Sequence, residues 1–358
     1  MANVRLEEKE LAGVPWLVLR GEPRAAFRRL GEWAADRIRA TVTKSGILPP
    51  LRERVATPDG AATLAAVREE SRRHYPDTWD ELAELAAGAG VAFDDLLLMN
   101  LRGDLGRAST GAGCTDLAYA DGRTALIAHN EDGDARLHGL CTWLTLELDG
   151  RPSVAVWWYP GFVPANTFTA TSNGLAWGAD HITIPRPAAR PGRHFVARGL
   201  QAAPDLERAI GYLVDHPSAG RFAYTMGQVG QGRPVVLESA GEASHRYDVD
   251  GTFCWHTNHL RRLDPGHDAP SEDSLRRGEV MERATVPDEP DAAWLLGLLT
   301  TPAYPEGVYK NPADAEGRDG TATLATTVVD LRAGTALLKP RDRAPVTLAL
   351  DDLVHGVG

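Results

Sequence analysis

The stretch GAGCTDLAYADGRTALIAHNEDG, residues 111–133, is where the chain changes character. Its opening residues are small, and from Thr115 it alternates in the way of a strand. It then passes through the turn residues of ADGR and resumes as a second run that ends in the polar cluster His129, Asn130, Glu131 and Asp132. Two such runs around a short polar turn read as a β-hairpin, which brings Cys114, directly before the first strand, alongside the cluster at the end of the second.

Helices are expected upstream. After one short strand, WLVLRG, residues Pro23 to Thr43 carry apolar side chains at Phe27, Leu30, Trp33, Ala34 and Ile38, one helical face. PDTWDELAELAAGAG reads as a helix with Asp77 as N-cap and a stop at Gly88 or Gly90, and FDDLLLMNLRGDLG as a further helix carrying Asn100 and Arg102. Downstream, TWLTLELDG, PSVAVWWYPG and TFTATSNGLAWGADHI read as antiparallel strands, followed by the helix DLERAIGYLVDH. The strands FAYTMGQ, RPVVLESAG and SHRYDVDGTFCWHTNHL come next, then the helices EDSLRRGEVMERA and DAAWLLGLL and the hairpin TATLATTVVDLRAGTALLKP. The proline-rich segment 185–193 reads as a surface loop. Helices grouped with helices and strands with strands indicate an α+β fold without an interdomain linker.

Composition narrows the function. With 358 residues, 43% hydrophobic, the chain can bury an enzyme-sized core. A formal charge of −11 argues against nucleic acid or an anionic membrane surface as partner. Three cysteines, Cys114, Cys141 and Cys254, are too few and too scattered for a disulfide framework, which suits a reducing compartment. The first residues are acidic where a signal peptide is basic and apolar, and no apolar run approaches the roughly 18 residues of a membrane span, so a cytoplasmic location is expected.

Cys114 is the first candidate for chemistry, since glycine and alanine around a thiol leave room for a substrate. A lone cysteine is more often a small buried hydrophobe. In CWHTNHL a strand would put Cys254, His256 and Asn258 on one face and His259 on the other, a poor cage for one ion, so no metal is expected. Phosphate-binding and dinucleotide fingerprints are absent, and no cofactor is indicated.

The segment LLLMNLRGDLG…GAGCTDLAYADGRTALIAHNEDG resembles the processing site of the acyl-CoA:6-aminopenicillanic acid acyltransferase family, the C45 group of N-terminal nucleophile hydrolases, distantly similar to bile salt hydrolases and penicillin V acylases. The resemblance runs from RGEPRAAFRRLGEW to the arginine-bearing helix beyond TNHL. It implies a four-layer αββα fold with two stacked antiparallel sheets, formed by a single domain of residues 1–358. It further implies self-cleavage between Gly113 and Cys114 into chains 1–113 and 114–358 that stay associated. Cys114 becomes nucleophile, Asp132 holds the new amine, Asn258 supplies an oxyanion donor, and Arg276, or else Arg277, orders the network. Where bile salt hydrolases carry an arginine, this chain has His129. The strand SNGLAWGADHI implies a second oxyanion contact near Asp180 or His181, which with His129 form the expected substrate-binding set.

The chemistry is coherent on its own terms. A thiol with a pKa of about 8.5 is mostly protonated at neutral pH, whereas a free α-amine of about 7.7–8.0 can take its proton, so one N-terminal cysteine supplies nucleophile and base. The expected activity is hydrolysis of an amide in a small N-acyl metabolite or peptide, through a Cys114 thioester. One alternative is acyl transfer from CoA or an amide donor to an amine. The other is an uncleaved chain, either a papain-like hydrolase using His181, His256 or His259, or a binding protein. Each residue also has a structural reading: Asp132 in a turn, Asn258 at a strand end, Arg276 as a solvated helix charge, and Trp157, Trp158 and Tyr159 as core or pocket wall.

Overall fold

The computed structural model describes residues 4–106, 113–165, 167–184, 186–240, 243–263, 268–312 and 320–358. The chain opens with a hairpin, β1 (Arg5–Leu11) and β2 (Val14–Gly21), rather than one strand. Six helices follow: α1 (Pro23–Trp33), α2 (Ala35–Lys44), α3 (Leu48–Val55), α4 (Pro58–His74), α5 (Pro76–Ala89) and α6 (Phe93–Asn100). Glu22 caps α1 by accepting from the N–H groups of Arg24 and Ala25. The single helix expected to Thr43 is broken at Ala34, yet Phe27, Leu30, Ala34 and Ile38 stay buried across the break. Asp77 lies within the first turn of α5 instead of capping it, and Gly90, at φ +64°, ends that helix in the left-handed conformation.

The hairpin read from residues 111–133 is β3 (Thr115–Ala120) and β4 (Ala125–Asp134), antiparallel, with Thr115 opposite Asn130 and Asp116 opposite His129. Then come β5 (Thr142–Leu148), β6 (Val154–Trp158), β7 (Thr169–Thr171), β8 (Leu175–Ile182), α7 (Arg193–Leu200), α8 (Leu206–Asp215), β9 (Arg221–Gln228), β10 (Val235–Ala240), β11 (Ala243–Asp248) and β12 (Thr252–His256). The chain closes with α9 (Glu272–Glu282), α10 (Ala292–Thr300), β13 (Thr321–Asp330), β14 (Thr335–Pro340), β15 (Val346–Ala349) and α11 (Leu350–His355). The segment expected as a surface loop is exposed only in part, because Arg193 at its end turns inward to start α7.

Two sheets result. One has nine strands in the order β1-β2-β5-β6-β7-β8-β9-β10-β11, and the other has six in the order β12-β3-β4-β13-β14-β15. All pairings are antiparallel except β2 with β5, which run parallel because six helices and the first hairpin of the other sheet separate them in the chain. The sheets face each other where β3 and β4 meet β8 and β9. Helices α1 and α8 pack against the larger sheet, with α5 against α1, while α9 and α10 cover the smaller one, giving an αββα stack. Among the described residues no helix is long and apolar enough to cross a membrane.

Candidate active site

Alternation along β3 and β4 builds the site. Leu117 and Ala128 face α9 and α10 in the outer apolar layer, so their neighbours Asp116 and His129 face into the gap between the sheets. Cys114 and Glu131 extend that inward row, and donor atoms of Cys114, His129 and Glu131 lie within 4.8 Å of one another. Gly178 on β8 faces them: a Cβ there would meet His129 Nδ1 at 2.7 Å and overlap Asp116, so the glycine lets the polar row sit between the sheets.

The buried row is a run of alternating carboxylates and imidazoles. His129 Nδ1 is 2.5 Å from Asp116 Oδ1 and its Nε2 is 3.0 Å from Glu131 Oε2, while Tyr159 donates to Glu131 Oε1 at 2.8 Å. Across the gap, His256 on β12 bridges Asp180 on β8 at 2.9 Å and Glu238 on β10 at 3.2 Å. Burial alone would lower both histidine pKa values, but the flanking carboxylates reverse this, lifting His129 well above its usual range and His256 to about 9. Burial and the charge of Asp116 push Asp180 up to about 7. Cys141, by contrast, lies in the apolar core, with burial raising its thiol well above the ordinary range.

Cys114 is itself buried, which raises its thiol well above the ordinary value, and the negative charges of Glu131, Asp180 and Asp132 raise it further. The Asp132 backbone N–H works in the other direction. The sulfur is therefore a neutral thiol that needs a base. His129, the imidazole within reach, is held protonated by two carboxylates and can accept nothing. His181 lies between Arg193 and Thr183, His256 between two carboxylates, and His259 bonds Thr257 and Ser274. Among the described residues no hydrogen bond joins any of these three imidazoles to the Cys114 sulfur.

A second cluster backs the cysteine from α9. Arg277, fully buried, donates to the Cys114 carbonyl, to Thr115 Oγ1 at 2.9 Å and to Asn258 Oδ1, and pairs with Asp273 at 3.0 Å. Lys310 pairs with the same Asp273 at 2.9 Å and donates to Thr321 at 3.1 Å. Arg276 faces outward on α9 beside Glu279 and Pro305, so the network arginine is Arg277 and the choice of Arg276 is corrected: with the 3.6-residue helical period only one of two consecutive positions can enter the gap. Asp132 accepts from Thr323 Oγ1 at 2.6 Å, and its Oδ2 accepts nothing among the described residues. Burial pushes Asp132 up to about 7 against the pull of Lys310 and Arg277. Asn258 donates one Nδ2 hydrogen to the His181 carbonyl at 2.9 Å; with Oδ1 fixed by Arg277, its other amide hydrogen is left to point elsewhere.

Gly113 packs against this cluster. A Cβ on it would stand 2.8 Å from Lys310 Nζ and 2.9 Å from an Arg277 nitrogen. Residues 107–112 lie outside the described residues, so the start of the quoted stretch is followed only from Gly113. Asp180 is bound to His256, and His181 meets Asn258 through its carbonyl, so this part of β8 borders the site. Lys310, Asp273, Thr323 and Glu131 were not expected as site residues. Glu131 had a signal in the sequence as part of the polar cluster that ends the second hairpin strand, and Asp273 had one in its four-residue spacing from Arg277. The donors of Cys114, His129 and Glu131, or of Asp116, His129 and Asp180, are close enough to surround an ion, but both nitrogens of His129 are already engaged.

Residues 119–340 match the model of the family described as acyl-coenzyme A:6-aminopenicillanic acid acyl-transferase. Among solved structures, a mutant of the conjugated bile acid hydrolase from Clostridium perfringens is similar at 10% identity and a TM-score of 0.35, covering 66% of this chain and 94% of that one. No curated protein sequence matches significantly.

Proposed function

The chain belongs to the acyl-coenzyme A:6-aminopenicillanic acid acyl-transferase family, enzymes of the N-terminal nucleophile hydrolase and acyltransferase type, and from this premise we propose that it is an amidohydrolase whose nucleophile, Cys114, it exposes by cutting itself. The observation that carries the reading is the convergence of Cys114, Asp132, Asn258 and Arg277 on one buried point from β3, β4, the end of β12 and α9.

In the first step the Cys114 sulfur attacks the Gly113 carbonyl carbon. The C–N bond breaks, the departing nitrogen takes a proton to become the α-amine of Cys114, and a thioester forms. Water then releases the Gly113 carboxylate. The base for this step is Asp132, whose raised pKa suits it to accept a proton near neutrality and whose Oδ2 accepts nothing among the described residues. Afterwards Oδ2 would receive the new ammonium. In each turnover the amine takes the thiol proton, the thiolate attacks the amide carbonyl, and the second Nδ2 hydrogen of Asn258 stabilises the oxyanion. The leaving amine collects the proton, and water hydrolyses the thioester. An amine in the place of water would make the same site an acyltransferase.

Chains 1–113 and 114–358 would remain together. The test is mass spectrometry of the purified protein: two chains are expected, the second beginning Cys-Thr-Asp-Leu, and Cys114→Ala should remain whole. A wild-type chain that stays intact yet is active would overturn the mechanism.

A further inference from the structure

Arg102 follows α6 by two residues and is held at the active site without an anion of its own. Asn100 ties the end of α6 to the loop after β6, donating to Leu96 and Gly161 and accepting from the Val163 N–H at 2.7 Å. This fixes the half-buried Arg102 with its guanidinium carbon 4.3 Å above the Phe162 ring. Among the described residues that contact is its anchor, and no hydrogen bond or ion pair engages the guanidinium.

Among the described residues no nearby carboxylate is bonded to Arg102. Glu131 and Asp134 are carboxylates near enough for their charge to act on Arg102, and the neutral Tyr159 and Cys114 lie beside it. Glu131 is shared between His129 and Tyr159, and Asp134 accepts from Arg136 at 2.8 Å and the Gly46 N–H at 2.8 Å. On the other side, Asp104 Oδ1 accepts from the backbone of Arg193 at 2.9 Å and Gly220 at 2.6 Å, while its Oδ2 accepts nothing among the described residues, Arg102 included. Arg193 and its histidine neighbour bring no anion. A half-buried guanidinium with no hydrogen-bonding partner among the described residues is open to an anion, and its planar fork matches a carboxylate with two parallel hydrogen bonds.

We propose that Arg102 receives a carboxylate of the substrate, so that the amide presented to Cys114 belongs to an N-acyl amino acid or a peptide end and not to a neutral or cationic amide. The assignment rests on the proposed amidohydrolase reading for the position of the scissile bond, while the anion site itself rests on Arg102.

Binding and turnover separate the two. Short- to medium-chain N-acylglycines and the matching N-acylglycinamides would be compared by calorimetry and by amide hydrolysis, on wild type, Arg102→Gln and Arg102→Lys. Melting profiles would show that the variants fold. The acid form should bind wild type at least about 10-fold tighter than the neutral form, as expected for hydrogen bonds to a charged group. That ratio should fall towards one in Arg102→Gln and lie between in Arg102→Lys, which keeps the charge and loses the fork. A ratio near one in wild type, or one that survives Arg102→Gln, would overturn the proposal. Coenzyme A binding more tightly than every acylglycine, and losing this with Arg102→Gln, would move the anion to a phosphate-bearing acyl donor and also overturn it. A chain that binds the acid form through Arg102 but neither cuts itself nor hydrolyses any amide would leave the carboxylate site standing and remove the amidohydrolase reading.

Discussion

At the scale of single residues, two neighbours on α9 make the sharpest contrast. Arg277 holds the Cys114 carbonyl, Thr115, Asn258 and Asp273 at once, while Arg276 lies at the surface. Arg277→Ala should slow amide turnover by about 10²-fold, the scale of losing one oxyanion donor, because Asn258 is then free to turn its amide. Arg276→Ala should leave stability within about 0.5 kcal/mol and self-cleavage unchanged. Both are read from cleavage kinetics and steady-state rates. If Asp132 is the base of the first cut, its rate must rise with pH through about 7 and then level off, since the carboxyl works only when ionised. The appearance of the two chains after cell-free translation at a series of pH values gives this directly, and Asp132→Asn should be slow and flat. The hairpin that sets Cys114 beside its polar cluster was legible from the strand–turn–strand pattern, whereas Asp132 and Asn258 were singled out by the family resemblance, pattern alone leaving them as turn and strand-end residues. Lys310 was not, since it sits in a loop whose approach to Gly113 is set by contacts distant in the chain.

Elements explain what the sequence left open. Strand alternation told which of Cys254, His256, Asn258 and His259 would share a face, and His256 does point between the sheets while His259 turns to Ser274 on α9. What periodicity could not supply was the partner. Only the stacking of β12 beside β8 and β10 puts Asp180 and Glu238 on the two nitrogens of one imidazole. The raised pKa of His256 has a direct consequence for stability. Its contribution is full below the unfolded-state value of about 6.5 and is lost as pH rises through about 9. Asp180 adds no further slope above about 7, where it is ionised in both states, and Glu238, lowered to about 2, acts only at acid pH. The melting temperature of wild type should therefore fall between pH 7 and 9, and His256→Gln should lessen that fall, the remainder coming from His129, whose pKa is raised in the same way.

For the whole molecule, the α+β grouping was readable because helical and strand periods are segregated along the chain. The parallel pairing of β2 with β5 was not, since local pattern does not say which distant strand a run will join. That pairing lies across the proposed cut. β1 and β2 complete a sheet whose other seven strands come after residue 114, and Trp16 donates to Thr145, which in turn donates to the Leu353 carbonyl. Glu81 meets Arg198, and Asp104 receives the Arg193 N–H. Before cleavage these contacts close within one molecule and their formation does not depend on protein concentration. After it, the same contacts join two molecules, and folding becomes an association reaction governed by mass action. The cleaved protein should melt at a temperature that rises with its concentration, whereas Cys114→Ala should melt at one that does not; a denatured mature sample, unlike a denatured precursor, has lost the tether that held its two parts at high effective concentration.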